Sequence, residues 1–186
     1  MRLTSASTAN PAKAGCHLVS VAVLATVLWS QPAAQSGNDL TLAVSGAANQ
    51  TPWVAAHGAL VAVVWGASAS GKADVFSAVS RDGGHTFASP VRVNAVPGEA
   101  RVSGEIAPRV ALVSRQALAD PEIVVLWNAK DGTTQIKIAR SRDGGRTFGP
   151  PQPLQAAGAA GDRGWQSLAV DSRGNAGIHL VSRGQR

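Results

Sequence analysis

Two aspartates, Asp82 and Asp143, have nearly identical sequence surroundings. Each lies in an eight-residue stretch, Ser80–Phe87 or Ser141–Phe148, and the two stretches differ at a single position. The aspartates are 61 residues apart. A carboxylate can act as a general acid or base, ligate a metal, or accept hydrogen bonds from a turn. Because the whole stretch recurs, an architecture of repeated structural units is favoured.

The chain that leads into each stretch predicts a strand. Asp74–Val79 and Gln135–Ala139 are alternating or largely apolar runs. The sequence Asp-Gly-Gly then predicts a tight turn, because glycine tolerates positive φ and aspartate accepts hydrogen bonds from the amides ahead of it. Phe87 and Phe148 are expected to pack on the core, each contributing about 1.5–3 kcal/mol if fully buried. Each stretch is therefore predicted to be a β-hairpin whose turn is held by a carboxylate.

The pattern Ser-x-Asp-x-Gly-x-Thr-Phe resembles the Asp-box, or BNR repeat, of bacterial sialidases. In that family the box closes the hairpin between the third and fourth strands of a propeller blade and lies away from the substrate pocket. Similar boxes occur in xyloglucanases, sortilin-type receptors and photosystem assembly propellers. The resemblance therefore implies structural roles and no catalytic role for these residues: Ser80, Asp82, Gly84, Thr86, Phe87, Ser141, Asp143, Gly145, Thr147 and Phe148.

The resemblance implies an all-β fold, a partial sialidase-like β-propeller with about two and a half four-stranded blades. The expected blades span residues 52–98 and 104–156, and an incomplete blade spans 165–186. Trp65 and Trp127 precede the two aspartates by 17 and 16 residues, which supports a shared plan. We expect both tryptophans to pack between strands rather than to form a platform for a sugar. The 20 Gly and 10 Pro also suit a turn-rich all-β chain.

The N-terminal 36 residues have the pattern of a signal peptide. A segment with two positive charges precedes the apolar run Leu18–Trp29, and small residues follow, with cleavage expected near Ser36. The alternative is an uncleaved anchor, but twelve apolar residues fall short of the about 17–25 that span a bilayer. The protein is therefore expected to be secreted or periplasmic, with membrane contact only through this segment if it is uncleaved. Residues 37–51 are expected to be a linker or a docking strand.

Charge and motif content argue against nucleic acid, metal and cofactor sites. The net charge is +6, but the arginines are scattered and no dense basic run occurs. His57, His85 and His179 are far apart in sequence and match no metal-binding spacing. Gly66–Ala73 nearly spells a phosphate-binding loop, but Ala73 stands where the metal-binding hydroxyl belongs and a strand pattern follows. No cofactor is expected.

Catalysis is the open question. Sialidases use a tyrosine nucleophile, and the family pairs it with a glutamate, an aspartate and three arginines. This chain contains no tyrosine. Arg109, in Ala107-Pro108-Arg109-Val110, is the ligand candidate on an inner strand, the alternative being a solvated or inter-blade arginine. If the protein is an enzyme, the resemblance implies an exo-α-sialidase-type glycoside hydrolase.

Three functions follow from these observations. The first is an exported, non-catalytic Asp-box propeller that binds a glycan, such as a sialoside, or a protein. The second is the N-terminal part of an exo-α-sialidase, and the third is a structural or assembly propeller. The chain reaches Arg186 before a third Asp-box, so it resembles an N-terminal fragment. Open strand edges would then favour self-association.

Overall fold

The computed structural model describes residues 39–115, 118–131, 133–154, 163–171 and 176–182. They form eleven β-strands and no helix, so the predicted all-β class is confirmed for this part of the chain. Accordingly, these residues include no helix of the length and apolarity that crossing a membrane requires. All of them belong to one compact unit that begins at Asp39. The predicted signal peptide, with its cleavage near Ser36, lies outside the described residues.

The first four strands form an antiparallel meander, here called the first repeat: β1 (Ala48–His57), β2 (Leu60–Ala69), β3 (Lys72–Ser80) and β4 (Val91–Arg92). The β2–β3 connection is a two-residue turn. It consists of Ser70 and Gly71, both with positive φ (50° and 74°). A two-residue turn with this backbone matches the twist of the flanking strands, so β2 and β3 remain paired up to Ala69 and Lys72.

The next five strands repeat this plan after one short bridging strand. They are β5 (Ala100–Arg101), β6 (Arg109–Val113), β7 (Glu122–Asp131), β8 (Thr133–Ser141) and β9 (Gln152–Pro153). Strands β6 to β9 form the second repeat, again an antiparallel meander. The registers match. Trp65 lies opposite Phe76 in the first repeat, and Trp127 lies opposite Lys137 in the second, 62 residues after Trp65 and 61 after Phe76 respectively.

Strand β5 joins the two repeats into one nine-stranded sheet. Ala100 pairs with Ala73 of β3 on one side and with Ala129 of β7 on the other. The preceding residue, Glu99, is fixed as well: its carbonyl accepts a hydrogen bond from the Lys130 amide at 2.9 Å. The connection between the repeats is therefore bonded to both of them.

The core lies between the strands of both repeats and buries the two tryptophans that the sequence places in corresponding positions. Trp65 is 2% exposed and Trp127 is fully buried, so neither presents a surface to a sugar. Trp65 stacks on Phe76 with ring centroids 6.3 Å apart. A two-stranded sheet, β10 (Arg163–Val170) and β11 (Ala176–Ser182), packs Leu168 and Ile178 against the second repeat.

The first repeat begins earlier than the boundary predicted at residue 52. Strand β1 starts at Ala48, within the segment expected to be a linker or docking strand. Asn49 explains the difference, because its side-chain oxygen accepts hydrogen bonds from the Val44 amide and the Trp65 indole, each at 2.9 Å. Leu42 and Val44 pack against the cluster around Trp65. A segment of small and polar residues is thus ordered by contacts with a distant buried ring.

Candidate functional site

The first copy of the repeated stretch, residues 80–87, forms a hydrogen-bonded loop that we call the first Asp-turn. Ser80 Oγ donates to Asp82 Oδ1 at 2.7 Å and accepts from the Gly84 amide at 2.8 Å. Thr86 closes the loop, with its amide 2.9 Å from Oδ1 and its hydroxyl 2.6 Å from Oδ2 of Asp82. The carboxylate therefore accepts three hydrogen bonds from residues within four positions of it, as the sequence predicts for a turn held by aspartate.

The second copy, residues 141–148, forms the second Asp-turn with the same bonds. Ser141 Oγ donates to Asp143 Oδ1 at 2.7 Å and accepts from the Gly145 amide at 2.8 Å. The Thr147 amide and hydroxyl donate to the two carboxylate oxygens at 3.0 and 2.5 Å. Because all partners lie within the turn itself, the stretch closes in the same way in both repeats.

The hydrogen bonds keep both carboxylates ionised. Those from the Thr86 and Ser80 side chains and from the Thr86 amide hold the pKa of Asp82 well below its usual range. Burial opposes ionisation of Asp143, but the bonds from Thr147 and Ser141 outweigh it and lower the pKa of Asp143 to about 2. Proton transfer near neutral pH is best served by a group whose pKa lies near that pH. Both carboxylates are therefore poorly matched to a general acid or base.

The two Asp-turns differ in what lies beside their glycines. Gly84 (φ 97°) has open space where a Cβ would project, whereas a Cβ on Gly145 (φ 86°) would overlap Val79 of the first repeat and lie 3.3 Å from Ile123 Cδ1. The neighbouring Gly144 lies against the guanidinium of Arg81. The second Asp-turn therefore packs against the first repeat through its glycines, where no side chain would fit.

The phenylalanines that end the two Asp-turns pack on different parts of the core. Phe87 contacts the cluster that contains Trp65, and Phe148 contacts the larger cluster that contains Trp127. Both are only partly buried, so each contributes less to the stability of the fold than a fully buried aromatic side chain would.

A buried carboxylate surrounded by arginines lies at the start of β7. The side chain of Glu122 is 1% exposed, and its Oε1 accepts a hydrogen bond from Arg142 Nε at 2.8 Å. Arg115 Nε and Arg140 Nη1 each lie 3.4 Å from Oε2. Burial favours the neutral acid, but the arginines outweigh it and lower the pKa of Glu122.

The arginine cluster was not predicted from the sequence, although one signal for it exists. In the register of the two repeats, Glu122 occupies the position of Leu60, and Arg140 occupies the position of Val79. The second repeat thus carries two charged residues where the first carries two apolar ones. Aligning the repeats residue by residue and asking where they differ in charge would have found the cluster.

Arg109, the predicted ligand candidate, lies over the ring of Trp53, with its guanidinium carbon 4.1 Å from the ring centroid. The two residues occupy equivalent positions on the first strand of each repeat, because Trp53 lies opposite Val64 and Arg109 opposite Leu126. Trp53 remains 43% exposed. Burial lowers the pKa of Arg109, and no ion pair joins it to a carboxylate in the part of the chain that the structure describes.

The remaining sequence candidates are dispersed. His57 lies in β1, His85 in the first Asp-turn and His179 in β11, and the described residues contain no group of three or more metal-ligating side chains placed to hold an ion. Gly66–Ala73 spans the end of β2, the Ser70–Gly71 turn and the start of β3. It is a hairpin without the following helix that a phosphate-binding loop needs.

Comparisons of the chain with protein-family models, with curated proteins and with solved structures found no match.

Proposed function

We propose that the chain is part of an exported Asp-box propeller that binds an acidic glycan without hydrolysing it, through Trp53 and Arg109. One observation carries this proposal: a half-buried arginine stacks on a half-exposed tryptophan, on the first strands of two adjacent repeats. The pair combines an apolar ring face with a positive charge that has no carboxylate partner among the described residues.

The propeller assignment is supported by the equivalence of the two repeats. Each is a four-stranded antiparallel meander with an Asp-turn between its third and fourth strands. Their first strands, β1 and β6, are in contact, as Arg109 over Trp53 shows. Consecutive four-stranded sheets arranged around an axis, with their first strands innermost, are the plan of a β-propeller.

The chemistry of the Trp53–Arg109 pair favours a sugar that carries a carboxylate. A partly exposed indole offers an apolar face on which a sugar ring can pack. A guanidinium offers paired N–H donors that match a carboxylate, and partial burial strengthens that attraction relative to bulk water. Arg109 Nη1 has only weak internal contacts, 3.4 Å from the carbonyls of Ala107 and Pro108. A ligand carboxylate would therefore form stronger hydrogen bonds with Arg109 than the carbonyls of the chain do.

The alternative is the N-terminal part of an exo-α-sialidase, whose nucleophile would have to come from residues other than these 186. The 186 residues contain no tyrosine, so the tyrosine chemistry of sialidases has no reacting group here. Release of fluorophore from a fluorogenic sialoside by the purified protein would favour the hydrolase over the binding module. We expect none above the rate of a buffer blank.

The test of the binding function is a titration of the full chain with sialyllactose and, in parallel, with neutral lactose, followed by tryptophan fluorescence. We expect saturable binding of the acidic sugar alone. Arg109→Met should weaken it by about tenfold, as expected for loss of a charge-assisted hydrogen bond. Arg101→Met, which removes an exposed arginine on β5, serves as the matched control and should change the Kd by less than about twofold. Equal binding of lactose, or unchanged binding by Arg109→Met, would refute the proposal.

A further inference from the structure

We propose that the second repeat carries a separate site for a singly charged oxyanion group, a sulfate ester or a carboxylate, in the groove beside Arg140 and Arg142. This inference does not depend on the proposed function of the Trp53–Arg109 pair. The two places are distinct in the sheet, because Arg109 lies on β6 whereas Arg140 lies near the end of β8, with β7 between these strands.

The groove has a volume of about 440 Å³ and is lined by Arg140, Arg142, Thr147 and Gln152, among other residues. Arg140 is the penultimate residue of β8 and Arg142 follows directly after the strand, and both side chains line the groove. Gln152, on the neighbouring strand β9, adds an exposed amide. The groove is large enough for one sulfated or carboxylated sugar unit.

The charges around the groove leave one positive charge in excess. Arg115, Arg140 and Arg142 share the single carboxylate of Glu122, and Asp143 contributes the second negative charge. The oxygens of Asp143 are already occupied by bonds within the second Asp-turn. A ligand with one negative charge would therefore neutralise the groove.

The arginines retain donors with which to bind such a ligand. Arg142 contacts Glu122 through Nε, and its side chain is 72% exposed. Arg140 uses one Nη1 contact, and its side chain is 40% exposed. A guanidinium has five N–H donors in a planar fork, so each arginine can hold Glu122 and an external oxyanion together. Glu122 thereby fixes the two guanidiniums before the ligand arrives, which reduces the ordering cost of binding.

The first repeat shows that the fold does not require an arginine at the position of Arg140. Its equivalent groove is lined by Val79 and Val91 in place of Arg140 and Gln152. Two arginines line it: Arg81, which is paired one to one with Asp120 at 2.8 Å, and Arg146 of the second Asp-turn. The second Asp-turn also forms part of that groove's wall. Because the serine, aspartate and threonine of the two Asp-turns make the same closing bonds, Arg140 and Glu122 of the second repeat serve something other than the turn.

The experiment follows the arginine side-chain Nε–Hε signals of the full ¹⁵N-labelled chain by NMR. Methyl sulfate represents a sulfate ester and acetate a carboxylate, each titrated against sodium chloride at constant ionic strength. We expect saturable shifts of the Arg140 and Arg142 signals with at least one of the two anions. The anion with the lower Kd identifies which of the two groups the site takes. No saturable shift with either anion would overturn the proposal.

Matched variants distinguish a binding site from an ion-pair cluster that only stabilises the pairing of the strands. Arg140→Val, which installs the residue of the first repeat, and Arg142→Gln should each raise the Kd by about tenfold. Arg81→Gln, at the position equivalent to Arg142, should change it by less than about twofold. Arg142 is the most exposed member of the cluster, so its variant keeps the test valid if Arg140→Val does not fold. An unchanged Kd in Arg142→Gln, or an equal loss in Arg81→Gln, would contradict the assignment.

Discussion

In the first repeat, the end of the third strand carries Val79, and Gly145 of the second Asp-turn packs directly against it. In the second repeat, the equivalent position carries Arg140, which lies within 3.4 Å of the buried Glu122. The turns that follow the two strands are closed by the same hydrogen bonds, with distances that agree within about 0.1 Å. The same turn therefore lies beside an apolar contact in the first repeat and beside a cluster of charged side chains in the second.

This difference separates what the repeated stretch does for the fold from what each repeat does in addition. The stretch fixes its own turn, because its serine, aspartate and threonine bond to one another. The strand residues beside the turn differ between the repeats. In the first repeat they pack closely against apolar neighbours, and in the second they belong to a cluster of arginines around one glutamate. Each of the following predictions changes one side of the comparison and leaves the other intact.

The largest expected effect is that of Gly145→Ala set against Gly84→Ala. Both glycines have positive φ, so each alanine costs about 1–2 kcal/mol of backbone strain. Only the Cβ at position 145 would also overlap Val79. Overpacking adds about 1–3 kcal/mol, so Gly145→Ala should lower the free energy of unfolding by about 3–4 kcal/mol and Gly84→Ala by about half of that. Urea unfolding measures both values.

The cause of that difference can be checked by adding Val79→Ala. If the overlap with Val79 is responsible, the double variant Val79→Ala/Gly145→Ala should be more stable than the two single effects predict when added. If the unfolding free energies of the two single variants simply add, the cost of Gly145→Ala comes from backbone strain alone. The proposed difference in packing between the two turns would then be wrong.

The second prediction concerns the buried acid. Glu122→Leu, which installs the residue of the first repeat, leaves three arginines without their shared partner. Breaking a buried ion pair usually costs about 3–5 kcal/mol, but these guanidiniums are partly exposed and can regain water, so we expect about 2–3 kcal/mol. Adding Arg140→Val should recover part of this loss in urea unfolding. A double variant that is less stable than Glu122→Leu alone would show that the flanks of the two repeats cannot be interchanged.

The third prediction concerns a feature that the repeats share. Asp143→Ala removes the acceptor of three turn bonds but leaves the strands intact. Because the carboxylate lies at the surface, solvent screening limits the loss to about 1 kcal/mol, or about 3 °C in Tm. Differential scanning calorimetry of Asp143→Ala and Asp82→Ala should show a decrease in both. Loss of ligand affinity at unchanged Tm would instead assign Asp143 to a binding role.

The smallest effect is the pH dependence of the same turn. The pKa of Asp143 is lowered from its ordinary value of 3.8 to about 2 in the folded chain, so its ionised form stabilises the fold above about pH 4. That contribution should be lost as the pH falls from about 4 to about 2. The stability advantage of the wild type over Asp143→Ala, measured by urea unfolding, should therefore shrink across this window. A constant difference between the two proteins would mean that the turn bonds do not favour the carboxylate.

The sequence was sufficient for the parts of the structure that are held by local contacts. The bonds of Asp82 and Asp143 reach at most four residues along the chain, so residue types at fixed spacing predict them. The ion pairs of Glu122 with Arg140 and Arg142 span 18 and 20 residues, and they exist only once β7 and β8 are paired. Arg109 meets Trp53 across two repeats for the same reason. Contacts of this kind depend on packing that no short pattern encodes.

The bridging strand β5 has a consequence for how the chain comes apart. Ala100 pairs with a strand of each repeat, and Lys137 holds the neighbouring Glu99 through a largely buried ion pair at 2.6 Å. If one repeat loses its pairing with β5, the pairing of β5 with the other repeat is weakened as well. The two repeats should therefore melt in a single cooperative transition, unlike a pair of modules joined by a flexible tether, and a protease should find no early cut between them.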